Sequence, residues 1–191
     1  MSFKDSLIFY QKVSFPFFNT TKVGDVFLLS GSEGSDYIQN FSTYNVNTSK
    51  IKKIEVNDDE LKEKYSSLIN HGAFVKNKNY EVYVTFYNNK FFVFDKSFNF
   101  EYSSEMIYNV SKPRFKYMNG ILIPDRRNID VNQDAYLGQN NQLYIISNIV
   151  DKEKLDYKII DIYDLLSKEY ISSFKGSTTF RVGLLSLTKK K

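Results

Sequence analysis

Three of the four arginines of this 191-residue chain stand at positions 114, 126 and 127. Lys112-Pro113-Arg114-Phe115-Lys116-Tyr117 and Pro124-Asp125-Arg126-Arg127 flank Asn119-Gly120, a strong two-residue hairpin signal. If the flanking strands pair, Arg114 and Arg126 come to one end of a ribbon. Planar guanidiniums beside Tyr and Phe suit bidentate capture of a carboxylate or phosphate, or stacking on a ring. Arg114, Tyr117, Arg126 and Arg127 are therefore the candidate ligand-binding cluster. The plainer reading is two basic loop ends, with Asp125 pairing Arg127.

Directly downstream, Asn128-Ile129-Asp130-Val131-Asn132-Gln133-Asp134 sets oxygen-bearing side chains at alternate positions. Asp130, Asn132 and Asp134 match the opening of a calcium loop. The match then fails, because Ala135 stands where the turn glycine belongs and Asn141 where the bidentate Glu belongs. Calcium is the only cofactor for which the sequence offers candidates, and an exposed strand face in an Asn-rich chain produces the same string.

Other chemistries lack their residues. The chain has no cysteine, which removes disulfides, thiolate metal sites and cysteine nucleophiles. His71 is the single histidine, so multi-histidine metal sites cannot be built, and it stands where a helix is expected to stop. Gly31-Ser32-Glu33-Gly34-Ser35 is not a nucleophile elbow. Ser49-x-x-Lys52 and Ser172-x-x-Lys175 match a hydrolase motif by spacing alone, without its companion motifs. Asp161 and Asp164 sit at a strand end, where turn formation explains them better than glycoside chemistry.

The elements that must carry these residues read as strands. Val, Ile, Thr, Tyr and Phe far outnumber Ala and Leu, and Ala occurs only at 73 and 135. Such a balance suits pleated surfaces better than helices. Tyr80, Val82, Val84 and Phe86 alternate, and Asn88-Asn89 turns the chain into Lys90-Phe91-Phe92-Val93-Phe94. Asn140-Asn141 separates Ala135-Tyr136-Leu137 from Leu143-Tyr144-Ile145-Ile146. One helix is expected near 58–69, capped by Asn57 with Glu60 as capping-box partner, carrying a stripe of Leu61, Tyr65, Leu68 and Ile69, and stopped by Gly72.

A repeat organises the strands. Residues 25–30, 81–86 and 142–147 look like versions of one strand. Each is followed by a second strand ending in an aromatic (Tyr44, Phe94, Tyr163), a polar turn and a third strand. That order is the grammar of a propeller blade. Ile160-Asp161-Ile162-Tyr163-Asp164, then Glu169-Tyr170-Ile171-Ser172-Ser173-Phe174, resembles the blade ending of bacterial six-bladed β-propellers of the NHL and TolB-like kind. Leu143-Tyr144-Ile145-Ile146 resembles the strand before it in those proteins. The likeness is clearest over about 80–175 and fainter over 23–56. It departs at Ser167-Lys168, where the usual turn glycine is replaced.

The expected fold is therefore all-β, one domain over 1–191 of propeller-type antiparallel blades with one short inserted helix near 58–69. A β-sandwich is the alternative. Three readable blades leave open edges, so the chain is expected to be a segment of a longer propeller or to self-associate through those edges. The expected function is non-catalytic binding or scaffolding through propeller loops, toward a protein, peptide or glycan. The alternative is a calcium-dependent propeller hydrolase of the lactonase or esterase type, in which Asp125, Asn128, Asp130, Asn132 and Asp134 converge. Net charge is only +4, and Lys189-Lys190-Lys191 accounts for three of it, which argues against nucleic acid. No apolar run approaches the ~20 residues of a membrane span. The resemblance implies a periplasmic or cell-surface location, although the opening stretch, with Gln11-Lys12 and Pro16, is a poor signal peptide.

Overall fold

The computed structural model describes residues 17–119, 121–125, 127–128, 130–148 and 157–177. Among them the chain is all-β and antiparallel. The first sheet is a meander of β1 (Phe17–Val23), β2 (Val26–Glu33), β3 (Ile38–Asn45) and β4 (Lys50–Ile54). A second meander follows: β5 (Gly72–Lys76), β6 (Tyr80–Thr85), β7 (Lys90–Asp95) and β8 (Phe100–Glu105). Next comes the hairpin β9 (Phe115–Met118) and β10 (Ile121–Pro124), and then a third meander of β11 (Asn132–Leu137), β12 (Gln142–Ser147), β13 (Tyr157–Asp164) and β14 (Glu169–Ser177). The three-strand repeat of the sequence is thus the trailing part of a four-stranded unit, with β1 and β5 as leading strands that the periodicity did not separate. The apolar run Val182-Gly183-Leu184-Leu185-Ser186-Leu187, which by sequence looks like the start of another strand, lies outside the described residues.

One turn device recurs at the end of every third strand. Asn45 Oδ1 accepts from the amides of Asn47 and Thr48 (3.0 and 3.1 Å). Asp95 Oδ1 accepts from Ser97 and Asn99 (2.8 and 2.9 Å), and Asp164 Oδ1 from Leu166 and Ser167 (2.8 and 3.0 Å). A short side-chain acceptor here satisfies backbone donors as the chain reverses. Each turn then needs a left-handed residue, supplied by Ser49 (φ 54°), Phe98 (φ 64°) and Lys168 (φ 63°). Lys168 occupies the turn where the sequence lacks its glycine. The fourth strand also bulges at one recurring place, beside Val93/Phe94 in the second sheet and Ile162/Tyr163 in the third.

The second sheet is buried on both faces. Val82, Val84, Phe91 and Val93 pack against Leu137, Leu143, Ile145 and Tyr163 of the third sheet and Leu165 of its last turn. The alternate residues Tyr83, Phe92 and Phe94 pack against Leu28 and Phe41 of the first. Phe41 lies 5.0 Å from Phe94 and 5.2 Å from Tyr83, centroid to centroid, in the tilted and edge-on geometries aromatic pairs favour. Each fully buried ring contributes about 1.5–3 kcal/mol by removal from water. A sheet enclosed on both sides explains why β7 reads as a nearly continuous apolar run.

Hydrogen bonds link neighbouring sheets, β1 to β5 between the first and second, and β11 to the end of β6 between the second and third. The Asn19 amide of β1 donates to the Gly72 carbonyl of β5. Lys76 Nζ donates to the Lys22 carbonyl (2.7 Å), and Asn132 Nδ2 to the Thr85 carbonyl (2.8 Å). Gly72 is required here, since a Cβ at that position would stand 2.0 Å from the Val84 carbonyl oxygen.

The helix expected near 58–69 is corrected. A 3-10 turn, Asp59–Lys62, is followed by a separate four-residue turn, α1 (Ser66–Ile69). Asp58, not Asn57, caps the 3-10 turn by accepting from the Glu60 amide. Tyr65, at φ 66°, breaks the helical path between them. The apolar stripe fails for the same reason: Ser66, Ser67 and Asn70 are buried, and Leu68 and Ile69 are only half-buried. Gly72 opens β5 and does not stop a helix. Buried ion pairing holds this connector to the second sheet. Lys90 Nζ lies 3.0 and 3.1 Å from the Asp58 carboxylate and 3.2 Å from Glu60, and Ser103 Oγ donates to Asp58 at 2.7 Å. No helix among the described residues is long and apolar enough to cross a membrane.

Candidate functional site

Three elements distant in sequence bring aromatic side chains together at the surface. The turn between β2 and β3 presents Tyr37, the connector presents Tyr65, and β9 presents Phe115 and Tyr117. Tyr37 and Tyr65 rings lie 6.3 Å apart, and Tyr65 and Phe115 6.4 Å apart. The Tyr65 and Tyr117 hydroxyls approach to 3.3 Å, and this bond raises the Tyr117 phenol above its usual range.

Backbone hydrogen bonds fix the arrangement. The Tyr65 amide donates to the Asp36 carbonyl (2.7 Å) and the Ser67 amide to the Tyr37 carbonyl (3.0 Å). Lys64 pairs with Asp36 at 3.0 Å and lies over the Tyr65 ring, 5.2 Å from its centroid. Lys112, at the approach to the hairpin, binds Glu63 at 2.8 Å. Tyr37 and Tyr65 both hold left-handed backbone, φ 55° and 66°, where a bulky residue is strained. Tyr117 is 65% exposed and Met118 55%, so the patch faces solvent.

The sequence-derived cluster is placed as follows. Tyr117 joins the patch. Arg114 is exposed beside it, with its backbone clasped by the Asn128 side chain: Arg114 N donates to Asn128 Oδ1 and Asn128 Nδ2 to the Arg114 carbonyl, each at 2.8 Å. Arg127 forks onto Asp125 (Nε–Oδ1 3.0 Å, Nη2–Oδ2 2.6 Å), and the pairing holds the Asp125 carboxyl far below the usual range. Arg126 lies outside the described residues. Tyr37, Tyr65 and Phe115 complete the patch. The sequence places Tyr65 in a helical stripe, and no local signal marks a tyrosine for left-handed backbone.

The calcium-like string is divided among separate partners. Asn132 is buried, with Nδ2 donating to the Thr85 and Asn88 carbonyls. Asp134 Oδ1 accepts its neighbour Ala135's amide (2.8 Å), and Asp125 and Asn128 are engaged as above. Asp130 borders a small hollow of ≈ 190 Å³ with Phe86, Tyr87, Gln133 and Asn148. His71 stacks on Tyr87, 6.2 Å between centroids, and burial lowers its pKa. No group of three or more His, Cys, Asp or Glu side chains among the described residues is placed to hold a metal ion.

Two carboxyls are buried away from these surfaces. Glu81 is 1% exposed; burial raises its pKa, and Oε2 has no hydrogen-bond partner. Asp161 is raised by burial as well, against hydrogen bonds from Ser173 and Tyr108. Asp161 and Asp164 therefore do different work, one in the core and one capping a turn. No protein-family model matches this chain, and no curated protein matches it.

Proposed function

We propose that the chain is a propeller-type binding module without catalysis, and that it holds a protein or peptide segment against the patch of Tyr37, Tyr65, Phe115 and Tyr117. The propeller reading is supported by three four-stranded meanders in chain order, hydrogen-bonded sheet to sheet and packed face to face on either side of the second. Loops and inserted hairpins on such a scaffold are where function resides.

The observation that carries the binding reading is strain. Two bulky tyrosines in one patch hold left-handed backbone, which costs about 1–2 kcal/mol each and persists where the surroundings enforce it. Tyrosine supplies large contact area at low entropic cost and is enriched at binding hot spots. Arg114 and Lys116 at the hairpin add cations for acidic positions on the partner.

Peptides selected from a display library on the full chain test the proposal. Tyr65→Gly removes the ring and relieves the backbone. It is expected to leave thermal stability unchanged or higher while weakening the selected peptides at least ~tenfold, equivalent to about 1.4 kcal/mol. Equal binding by wild type and Tyr65→Gly, or selection of peptides that map elsewhere, would refute it.

A further inference from the structure

A second site lies where the fourth strand of the first sheet ends early. β4 pairs with β3 only from Asn45 to Phe41, so Ile38, Gln39 and Asn40 continue without a fourth-strand neighbour. The chain leaves the sheet after Ile54, and a cleft of ≈ 580 Å³ opens between the bare edge of β3 and the departing connector. Phe41, Ile54, Val56, Leu61 and Phe100 give it an apolar lining. The volume falls within the ~300–1,000 Å³ of small-molecule sites.

An added peptide strand does not fit as the occupant. The edge's backbone groups already have partners: the Gln39 amide donates to Ser66 Oγ (2.8 Å), and the Tyr37 carbonyl accepts from the Ser67 amide (3.0 Å). What lacks partners is side-chain oxygen. Asn40 is 6% exposed and Gln39 5%, and neither Asn40 Oδ1 nor Gln39 Oε1 receives a hydrogen bond. Successive strand residues point to opposite faces: the Gln39 amide turns inward and donates to Ser30 Oγ of β2 (2.7 Å), while Asn40 Oδ1, on a residue lining the cleft, is left without a donor. Buried acceptors without donors are uncommon in folded proteins, and the Asn40 oxygen beside the cleft is open to one.

Charge at the rim points the same way. Lys53 and Lys62 are each neutralised, by Glu33 at 2.5 Å and Asp59 at 2.6 Å. The Glu55 carboxylate has no partner among the described residues. The unmet demand is therefore for donors, and the unpaired charge is negative.

We infer that this cleft binds a small organic cation, an ammonium or guanidinium carried on an apolar alkyl or aryl body. The apolar portion lies against Ile54, Val56 and Phe100, and the N–H groups reach the Asn40 oxygen and the Glu55 carboxylate. The site shares no residue with the tyrosine patch and stands or falls independently of it.

Phenethylamine titrated into the isotopically labelled full chain tests the inference by NMR. The side-chain amide of Asn40 and the backbone amide of Glu55 should shift saturably, with a Kd of about 1 mM or tighter. Benzoate and glucose should produce no such shifts. Glu55→Gln alters only an exposed side chain and should weaken phenethylamine about tenfold, the scale expected for one charge-assisted hydrogen bond. Asn40→Leu should abolish binding; if that variant does not fold, Glu55→Gln decides. Absence of saturable shifts at these groups, equal binding of benzoate or glucose, or unchanged affinity in Glu55→Gln would overturn the proposal.

Discussion

Replacing Asp58 by alanine tests how the connector is anchored. The Asp58 side chain is 6% exposed and serves three donors: Lys90, Ser103 and the Glu60 amide. Burial pushes its pKa up, but the hydrogen bonds from Ser103 and Lys90 and the Lys90 charge prevail, so the net shift is downward. Lys90 behaves in mirror fashion: burial lowers its pKa, while Asp58 and Glu60 raise it further. Breaking a buried pair from one side typically costs about 3–5 kcal/mol, because the other charge stays buried alone. Glu60, 3.2 Å from Lys90, remains to compensate part of that. Losing the cap adds about 0.5–2 kcal/mol. We expect Asp58→Ala to cost about 3–4 kcal/mol in chemical denaturation. At ~2–4 °C per kcal/mol for a chain of this size, Tm should fall by about 10 °C.

Because the folded pKa of Asp58 is depressed, its contribution is present above the unfolded value near ~3.9 and is lost as pH falls through the folded one. The acid limb of the stability curve should therefore flatten in the variant. The double substitution Asp58→Leu with Lys90→Met should recover most of the loss, since apolar replacements of a buried pair are often neutral. A cost below about 1 kcal/mol for Asp58→Ala, or a double variant as unstable as the two singles combined, would refute the anchoring argument.

Glu81→Gln should flatten a different part of the curve. The folded pKa of Glu81 is raised, so its stabilising contribution is complete below the unfolded value near ~4.3 and is lost as pH rises through the folded one. The variant should match wild type near pH ~4 and be the more stable at pH ~7 in paired urea titrations; a constant offset would contradict this. Gly72→Ala should cost about 2–3 kcal/mol or prevent folding, because the Val84 carbonyl stands in the way of the added methyl group; a neutral result in a thermal melt would mean that β5 and β6 can shift apart. Ser49→Gly should add about 0.5–1 kcal/mol by relieving a left-handed, exposed position. Lys168→Gly should gain less, because it also removes the cation held 4.6 Å from the Tyr102 ring centroid, and calorimetry giving the reverse order would overturn that ranking.

Several features of this protein were legible in residue order alone. The alternation at Tyr80–Thr85, the apolar run at Lys90–Asp95 and the Asn119-Gly120 signal each announced a strand or hairpin, because strand periodicity and turn chemistry are local properties. Three similar strands, each followed by a second strand closing in an aromatic (Tyr44, Phe94, Tyr163), exposed the repeat, and the Asn45, Asp95 and Asp164 that follow cap the same turn. The pairing of Arg127 with Asp125 was also within reach, being a contact two residues apart.

Tertiary structure alone decided the rest. Capping-box spacing and a short apolar stripe favoured a helix near 58–69, but the Asp58–Lys90 pair and the packing of Ser66 and Ser67 on the edge of β3 divide that segment into two turns. Those partners lie up to 32 residues away, so no local propensity could register them. The tyrosine patch was invisible for the same reason. Positions 37, 65, 115 and 117 become neighbours only when the first sheet, connector and hairpin meet, and positive φ at a tyrosine is imposed by surroundings and not encoded by its type. The cleft beside β3 exists because β4 stops at Ile54 while β3 runs on, a mismatch of strand lengths that appears only once the register is set. Local chemistry wrote the strands and their turns; long-range packing chose which side chains share a surface.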